Sequence, residues 1–567
     1  MHRPGGADIA GPGLLCYKKA MVRTANLNAW KKPIHKALAS IARDRVLERI
    51  LAQDFTVWKD EDHGITKRLG WLDPVPKALE ALPAIEKFAN DVRKDGITRV
   101  LLIGMGGSIL APEVFGRVFR ARPGYPRLDI LDTTAPDAVS RTARGIDIGE
   151  TLFIVSSKSG TTAETSSLFN YFYRLACDAL GEERAGRHFV AITDPGSPLE
   201  GPARRHGFRR VFLGDPDVGG RFSALSVFGL VPAAIAGVDV RKALARSEAT
   251  IQACRSKDPG NNPAALLGTV LGVLAGQGVD KATIFTSPRI RSLGAWLEQL
   301  IAESTGKAGK GILPVPEDTP APPLTYGPDR LFVHVRFGAD AALDKGVSAL
   351  SKRGFPVITI GFPDALSLPG QFYLWEMATA VAGHTIRLNP FDQPDVEATK
   401  KKTRKALEVF GRGGSERPSA ASLEAFYPGD LARFLKKARK GAYIALQAFL
   451  APSPATVKAL REFRDSLRDA TGLPVTLGFG PRFLHSTGQL HKGDAGRGLF
   501  IQFIGRGKAD LPIPEVDSVR PAPSFGTLIA AQAQADFEAL KEAGRRIIRF
   551  ELGANVRPGL RKLMSAL

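Results

Sequence analysis

Residues 153–165 read FIVSSKSGTTAET, an apolar run followed by five hydroxyl side chains and one lysine within seven positions. Hydroxyls this dense, set between a strand pattern and a helix pattern, are costly to bury and unnecessary for a turn, so they point to an anionic ligand. Ser157, Ser159 and Thr162 can donate to phosphate oxygens. Lys158 adds a point charge, and the helix that follows offers free N–H groups and the positive end of its dipole. The competing explanation is a capping box, with Thr161 and Glu164 in a T-x-x-E arrangement. Capping accounts for those two residues and leaves the upstream serines and lysine unexplained.

A second loop, GMGGSILAP (104–112), follows the apolar run RVLLIG. A dinucleotide fingerprint would need glycine where Ile109 stands, which removes the main support for hydride transfer. Gly106 and Gly107 instead let backbone approach a ligand closely, and Ser108 places a hydroxyl at the helix entrance.

The surrounding elements must hold these loops. From about Ile85 to Val238, short β-branched runs alternate with amphipathic segments: RVLLIG, RLDILD (127–132), TLFIVSS (151–157), HFVAIT (188–193) and RRVFLG (209–214). Strands separated by helices predict βαβ units and a mostly parallel sheet covered on both faces, with ligands beyond the carboxyl ends of strands. A second series comprises ATIFTS near Ala282, LFVHVRF (331–337) and PVITIGF (356–362). A third, AYIALQAF (442–449), VTLGFG (475–480), LFIQFIG (499–505) and RIIRFEL (546–552), closes the chain. PVPEDTPAPPLTYGP (314–328) is too proline-rich for a regular element and GRGGSERPSAAS (411–422) is polar, so both read as linkers or surface excursions. The expected division is a disordered 1–25, a helical segment 26–83, a first α/β domain 84–240, a second 260–410, a linker 411–440 and a C-terminal α/β segment 441–567 completing the second domain.

The 567 residues, 44% of them apolar, suffice for several cores. No stretch reaches about 18 uninterrupted apolar residues, the length of a membrane span. The N-terminus lacks an apolar signal core, so a cytoplasmic location is expected, with Met21 an alternative start. Cys16, Cys177 and Cys254 fit neither a disulfide framework nor a zinc site. The net charge of +21 is spread along the chain, and its densest run, KKKTRK (400–405), lacks interleaved aromatics. It reads as a solvated face, and no nucleic-acid partner is expected.

GMGGSILAP followed by SKSGTTAET resembles the sugar-isomerase (SIS) domain of glucose-6-phosphate isomerases. Three further segments agree: VGGRFSALSVFGL (218–230) is similar to a GGR-[FY]-S signature, LEQLIAESTGKAGKG (297–311) to Q-x-x-x-E-S-x-G-K, and NPFDQPDVEATK (389–400) to FDQ-x-G-V-E-x-x-K. GITKRLGWLD (64–73) resembles the opening of the isomerase half of bacterial transaldolase–isomerase fusions. The resemblance implies a three-layer αβα sandwich of two doubly wound SIS domains with a C-terminal α/β extension. It also implies interconversion of glucose 6-phosphate and fructose 6-phosphate through ring opening and a cis-enediol, without metal or cofactor.

Aldose–ketose isomerisation needs a carboxylate base, a cation at the developing oxyanion and groups that open the ring. By resemblance these are Glu303 as base, Arg221 as oxyanion partner, and Lys400 with His485 for ring opening. Gln299 and Gln393 are hydrogen-bonding neighbours, and Gly107, Ser108, Ser157, Lys158, Ser159 and Thr162 anchor the phosphate. Asp395 stands at the family's glycine position and Thr305 at its usual asparagine. His485, in LHSTGQLHKG (484–493), follows the FDQ segment, whereas the family places this histidine before it and supplies it from the partner of a homodimer. A non-catalytic phosphosugar sensor has no use for Glu303, Arg221 and Lys400 together, and a phosphomannose or amino-sugar isomerase is the other alternative.

Overall fold

Residues 21–317, 320–395, 402–403, 428–505, 509–516 and 523–567 are described in a computed structural model. Three sheets organise them. The first has the order β3-β2-β4-β5-β6, from β2 (Arg99–Gly104), β3 (Arg127–Leu131), β4 (Thr151–Ser156), β5 (Phe189–Thr193) and β6 (Arg210–Leu213), all parallel. β4 is buried at every position, as a central strand covered on both faces must be. Successive side chains therefore serve different cores: Val100, Leu102, Leu152 and Ile154 face one, and Leu101, Ile103, Phe153 and Val155 the other.

The second sheet has the order β1-β10-β9-β7-β8, from β1 (Val22–Ala25), β7 (Lys281–Thr286), β8 (Leu313–Glu317), β9 (Arg330–Phe337) and β10 (Val357–Phe362); only β1 runs antiparallel. Its inner face (Ile284, Val333, Ile358, Ile360) and the inner face of the first sheet share one core with the helices between them. Those helices include α1 (Leu110–Phe119), α3 (Pro263–Gly276), α4 (Leu293–Thr305) and α6 (Leu368–Thr385), whereas α2 (Ala163–Leu180) covers the outer face of the first sheet and α5 (Ala341–Lys352) that of the second. In each sheet the strand order reverses once, between β2 and β4 and between β7 and β9, and a crevice opens there beyond the carboxyl ends.

The third sheet, β12-β11-β13-β14, joins β11 (Tyr443–Phe449), β12 (Val475–Phe479), β13 (Gly498–Gly505) and β14 (Arg546–Leu552) in parallel. It packs Tyr443, Ala445 and Phe500 against Ala302 of α4 and Val315 of β8. The helix α7 (Phe525–Glu542) brings Phe525 and Leu528 onto the first domain's outer core.

Four expectations need correction. Residues 22–25, expected to be disordered, form an edge strand of the second sheet, while 1–20 lie outside the described residues. The segment read as an irregular proline-rich excursion from 314 starts inside β8, whose prolines are tolerated because an edge strand pairs on one side only. The C-terminal segment builds its own sheet and core instead of completing the second domain. The boundary set at 83 falls inside the helix Pro74–Lys94. Most of 411–440 lies outside the described residues; its described part includes the helix Pro428–Leu435.

Candidate active site

The crevice of the first sheet gathers the loops after β2 and β4. After β2, Gly106 adopts φ +54° and opens a short 3-10 turn, Gly106–Ser108, that leads into α1. A Cβ on Gly107 would lie 2.0 Å from the carbonyl oxygen of Gly220, and one on Gly106 would lie 2.8 Å from Nε2 of Gln299. Only glycines allow this loop to press simultaneously on the Gly219–Gly220–Arg221 turn and on α4. Ser108 is buried at the turn's end.

After β4, Ser157 is buried and its hydroxyl donates to Thr162 Oγ1 at 3.2 Å, while the Ser159 and Thr161 hydroxyls pair at 2.9 Å. Thr162 is the N-cap of α2, yet its side chain does not cap that helix end. The capping box is not formed: Glu164 turns away, and its Oε1 lies 3.0 Å from His485 Nε2 and accepts from Gln532 Nε2 at 2.7 Å. Hydroxyls and an uncapped helix N-terminus therefore remain for an anion. Lys158 departs from expectation. Its ammonium is held by both Asp194 oxygens, at 2.7 and 2.6 Å, and donates to the Asp215 carbonyl at 2.9 Å, so its charge is already neutralised within the fold.

Arg221 is buried, and four donors of its guanidinium are fixed: Nε to Ser304 Oγ (2.8 Å), Nη1 to Gln393 Oε1 (2.9 Å), and Nη2 to the carbonyls of Pro390 (2.6 Å) and Asp392 (3.1 Å). Nη1 also lies 3.6 Å from Glu303 Oε2. Gln299 and Glu303, four residues apart, share one face of α4. Gln299 Nε2 donates to the His485 carbonyl at 2.7 Å, while its Oε1 is buried without a partner among the described residues. Burial pushes the Glu303 carboxyl above the ordinary carboxylate range, against the pull of Arg221, Lys307 and His485.

Lys307 was not singled out in the sequence, although it ends the E-S-x-G-K stretch. It is buried beside the pair, with Nζ 2.7 Å from Asp392 Oδ1. Burial, reinforced by Arg221, brings its pKa down to about 8.

The displaced histidine segment reaches this site in the same chain. Arg482, at the start of the turn that ends in His485, spans to Asp132 Oδ2 (2.5 Å) beyond β3 and Glu113 Oε2 (2.6 Å) on α1. Gln532 Oε1 in turn accepts from Thr134 Oγ1 at 2.9 Å. Asp395 donates its N–H to Gln489 Oε1 at 3.0 Å, tying the FDQ stretch to the histidine segment at the position where the family carries glycine. His491 is a core residue, packed among the rings of Tyr443, Phe483 and Phe500. Thus Glu303, Arg221, Gln299, Gln393, His485 and the two loops converge. Lys400 lies outside the described residues.

Glu164, Gln532 and Arg482 gave no functional signal in the sequence. Among the described residues there is no cluster of three or more candidate metal ligands, and no helix is long and apolar enough to cross a membrane.

Residues 73–327 match the phosphoglucose isomerase family model. The chain is 31% identical over 404 residues to a glucose-6-phosphate isomerase of a Synechococcus strain, covering 60% of this chain and 74% of that protein. It is also 31% identical over 382 residues to that of Citrifermentans bemidjiense, covering 58% and 71%. Among solved structures, a hypothetical protein of Thermus thermophilus superposes with a TM-score of 0.60 at 27% identity, over 68% of this chain and all of that one. A glucose-6-phosphate isomerase of Chlamydia trachomatis shares the fold, with a TM-score of 0.50 at 20% identity over 69% of this chain and 81% of its own. With family motifs on both sides of one crevice and relatives of this identity spanning most of their own length, the chain belongs to the phosphoglucose isomerase family.

Proposed function

We propose that this protein interconverts glucose 6-phosphate and fructose 6-phosphate, and that the crevice between β2 and β4 is where it does so. The observation that carries the reading is the buried Glu303 carboxylate 3.6 Å from the Arg221 guanidinium, on the same helix face as Gln299, which touches the His485 backbone.

The phosphate is anchored by Ser157, Ser159 and Thr162, with Ser108 and the Gly107 backbone opposite. His485 and Lys400 open the sugar ring, one proton being delivered to the ring oxygen as another leaves the anomeric hydroxyl. Glu303 then takes the proton from C2 of the aldose and returns it to C1 while the O2 hydroxyl proton passes to O1, so the reaction balances without an external redox partner. Arg221, already held by four hydrogen bonds, meets the enediolate charge without reorganising, which is where preorganised donors act most strongly. Lys307 adds a second cation, and Gln299 and Gln393 orient the substrate hydroxyls.

The working form is a cytoplasmic homodimer, and because Glu164 and Gln299 hold His485 within one chain, each subunit carries its own ring-opening histidine. The test is fructose 6-phosphate turnover, coupled to glucose-6-phosphate dehydrogenase, for wild type and Glu303→Gln. A loss of about 10²- to 10⁴-fold in kcat with substrate binding retained is expected for a removed general base. Binding without turnover by the wild type would leave a phosphosugar sensor, and preferential turnover of mannose 6-phosphate would change the substrate.

A further inference from the structure

The second sheet repeats the construction of the first. Between β7 and β9, where its strand order reverses, the loop after β7 forms a 3-10 turn (Pro288–Ile290) into α4, and the loop after β9 leads through Asp340 into α5. The equivalent positions in the first sheet carry the Gly106–Ser108 turn into α1 and the 157–162 loop into α2. A cavity of about 480 Å³ opens at this second reversal, lined by Ser287, Arg289, Phe337, Asp340 and, from the end of α1, Arg120.

Its charged groups are unlike those of the first crevice. Among the described residues neither Arg120 nor Arg289 has a carboxylate within ion-pair distance, whereas Lys158 in the first crevice is neutralised by Asp194. Arg289 is oriented by Nε donating to the Val118 carbonyl at 3.1 Å and by its guanidinium lying 5.1 Å from the centroid of Phe337. Ser287 is buried and accepts the Phe337 N–H at 3.0 Å, which leaves its hydroxyl proton to donate. Asp340 uses Oδ1 to cap α5, while its Oδ2 is buried without a partner among the described residues. Arg120 holds φ +62° and ψ 168°, a backbone region natural only to glycine, so a non-glycine residue persists there against local strain.

We propose that this cavity is a second binding site, for a small phosphomonoester that also carries hydroxyl groups. Arg120 and Arg289 take the phosphate with the Ser287 hydroxyl, and Asp340 Oδ2 accepts from a ligand hydroxyl. Two cations against one carboxylate leave a net positive charge for the anion, and the unpartnered acceptor explains why a polyol phosphate fits better than bare phosphate. The site is remote from the chemistry: Arg289 precedes α4 and Glu303 lies near its far end, roughly 20 Å away at 1.5 Å per residue.

The experiment is equilibrium binding of glucitol 6-phosphate, which has no carbonyl and cannot be isomerised, to the full chain. Two molecules per chain are expected for wild type and one for Arg120→Gln/Arg289→Gln, with kcat and KM for fructose 6-phosphate unchanged. Arg120→Gly, which relieves the strained backbone, should also lose the second molecule while folding at least as stably as wild type. Asp340→Asn should weaken glucitol 6-phosphate at this site but not inorganic phosphate. One molecule per chain in wild type, lost in Ser157→Ala/Thr162→Val, would overturn the proposal, as would two molecules retained by the double arginine variant. Equal effects of Asp340→Asn on both probes would overturn the hydroxyl assignment. Failure of turnover alone would sink the isomerase reading and leave this site standing.

Discussion

His485 Nε2 and Glu164 Oε1 meet at 3.0 Å across 321 residues of chain. Because Gln532 donates to the same carboxylate oxygen, Glu164 acts as an acceptor, and the imidazole proton sits on Nε2. Nδ1 is then the ring nitrogen without a partner among the described residues. The C-terminal extension thereby orients the imidazole to which the proposed mechanism assigns ring opening, through Gln532 and its own partner Thr134.

Glu164→Gln should therefore impair ring opening more than proton transfer. We expect kcat/KM for glucose 6-phosphate to fall about 10- to 100-fold, part of what general acid–base catalysis is worth. Erythrose 4-phosphate, too short to close a ring, should be turned over by the variant as by wild type. Equal losses on both substrates would place Glu164 in the proton transfer itself or in the fold.

The pH profile follows from two buried groups shifted in opposite directions. Glu303, raised by burial, must be ionised to act, so activity appears as pH climbs through a value above the ordinary carboxylate range. Lys307, lowered by burial and then by Arg221 to about 8, is charged below that pH and loses its charge above it. Activity should thus fall on the alkaline side near pH 8, and Lys307→Arg should move that limb upward because guanidinium stays protonated. An alkaline limb unmoved by Lys307→Arg, in kcat/KM for fructose 6-phosphate, would remove Lys307 from the oxyanion role.

Most of this architecture was legible in the sequence because each central strand is a short, largely apolar run. β8 was not: Leu313–Glu317 contains two prolines, and only its edge position makes that acceptable. In the site, the 157–162 loop and the E-S-x-G-K stretch carry local signatures, so the sequence alone singles out Ser157, Thr162 and Glu303, which the fold brings to the crevice. The capping alternative at Glu164 fails because T-x-x-E describes a local bond, whereas its partners arrive from positions 485 and 532. Gln532 and Arg482 act by long-range placement alone, which no periodicity or spacing encodes. Lys158 shows the converse: its type and position fit a phosphate ligand, and two aspartates distant in sequence redirect it.

Lys158 accordingly serves the loop's structure. Lys158→Met leaves Asp194 half-buried beside a missing cation and should destabilise the protein, lowering its urea midpoint. Lys158→Met/Asp194→Asn removes both charges and should recover much of that loss, with KM for fructose 6-phosphate close to wild type. A KM raised as strongly in the double variant as in the single one would restore Lys158 as a direct phosphate ligand.

Arg482 locks the histidine segment to the first domain, with one guanidinium bridging Asp132 and Glu113 while the site is assembled. Removing the cation leaves two mostly buried carboxylates facing each other, and breaking such a pair costs about 3–5 kcal/mol when fully buried. Because Arg482 retains 28% side-chain exposure, the lower part of that range is the expected effect of Arg482→Met on denaturant stability. The accompanying Glu113→Gln and Asp132→Asn changes should restore stability without restoring the turn's position. Activity then separates docking from folding: the triple variant, stable again, should still isomerise erythrose 4-phosphate but turn over glucose 6-phosphate slowly. Full recovery on glucose 6-phosphate would show that Gln299 and Glu164 suffice to hold His485, and that the arginine bridge contributes stability alone.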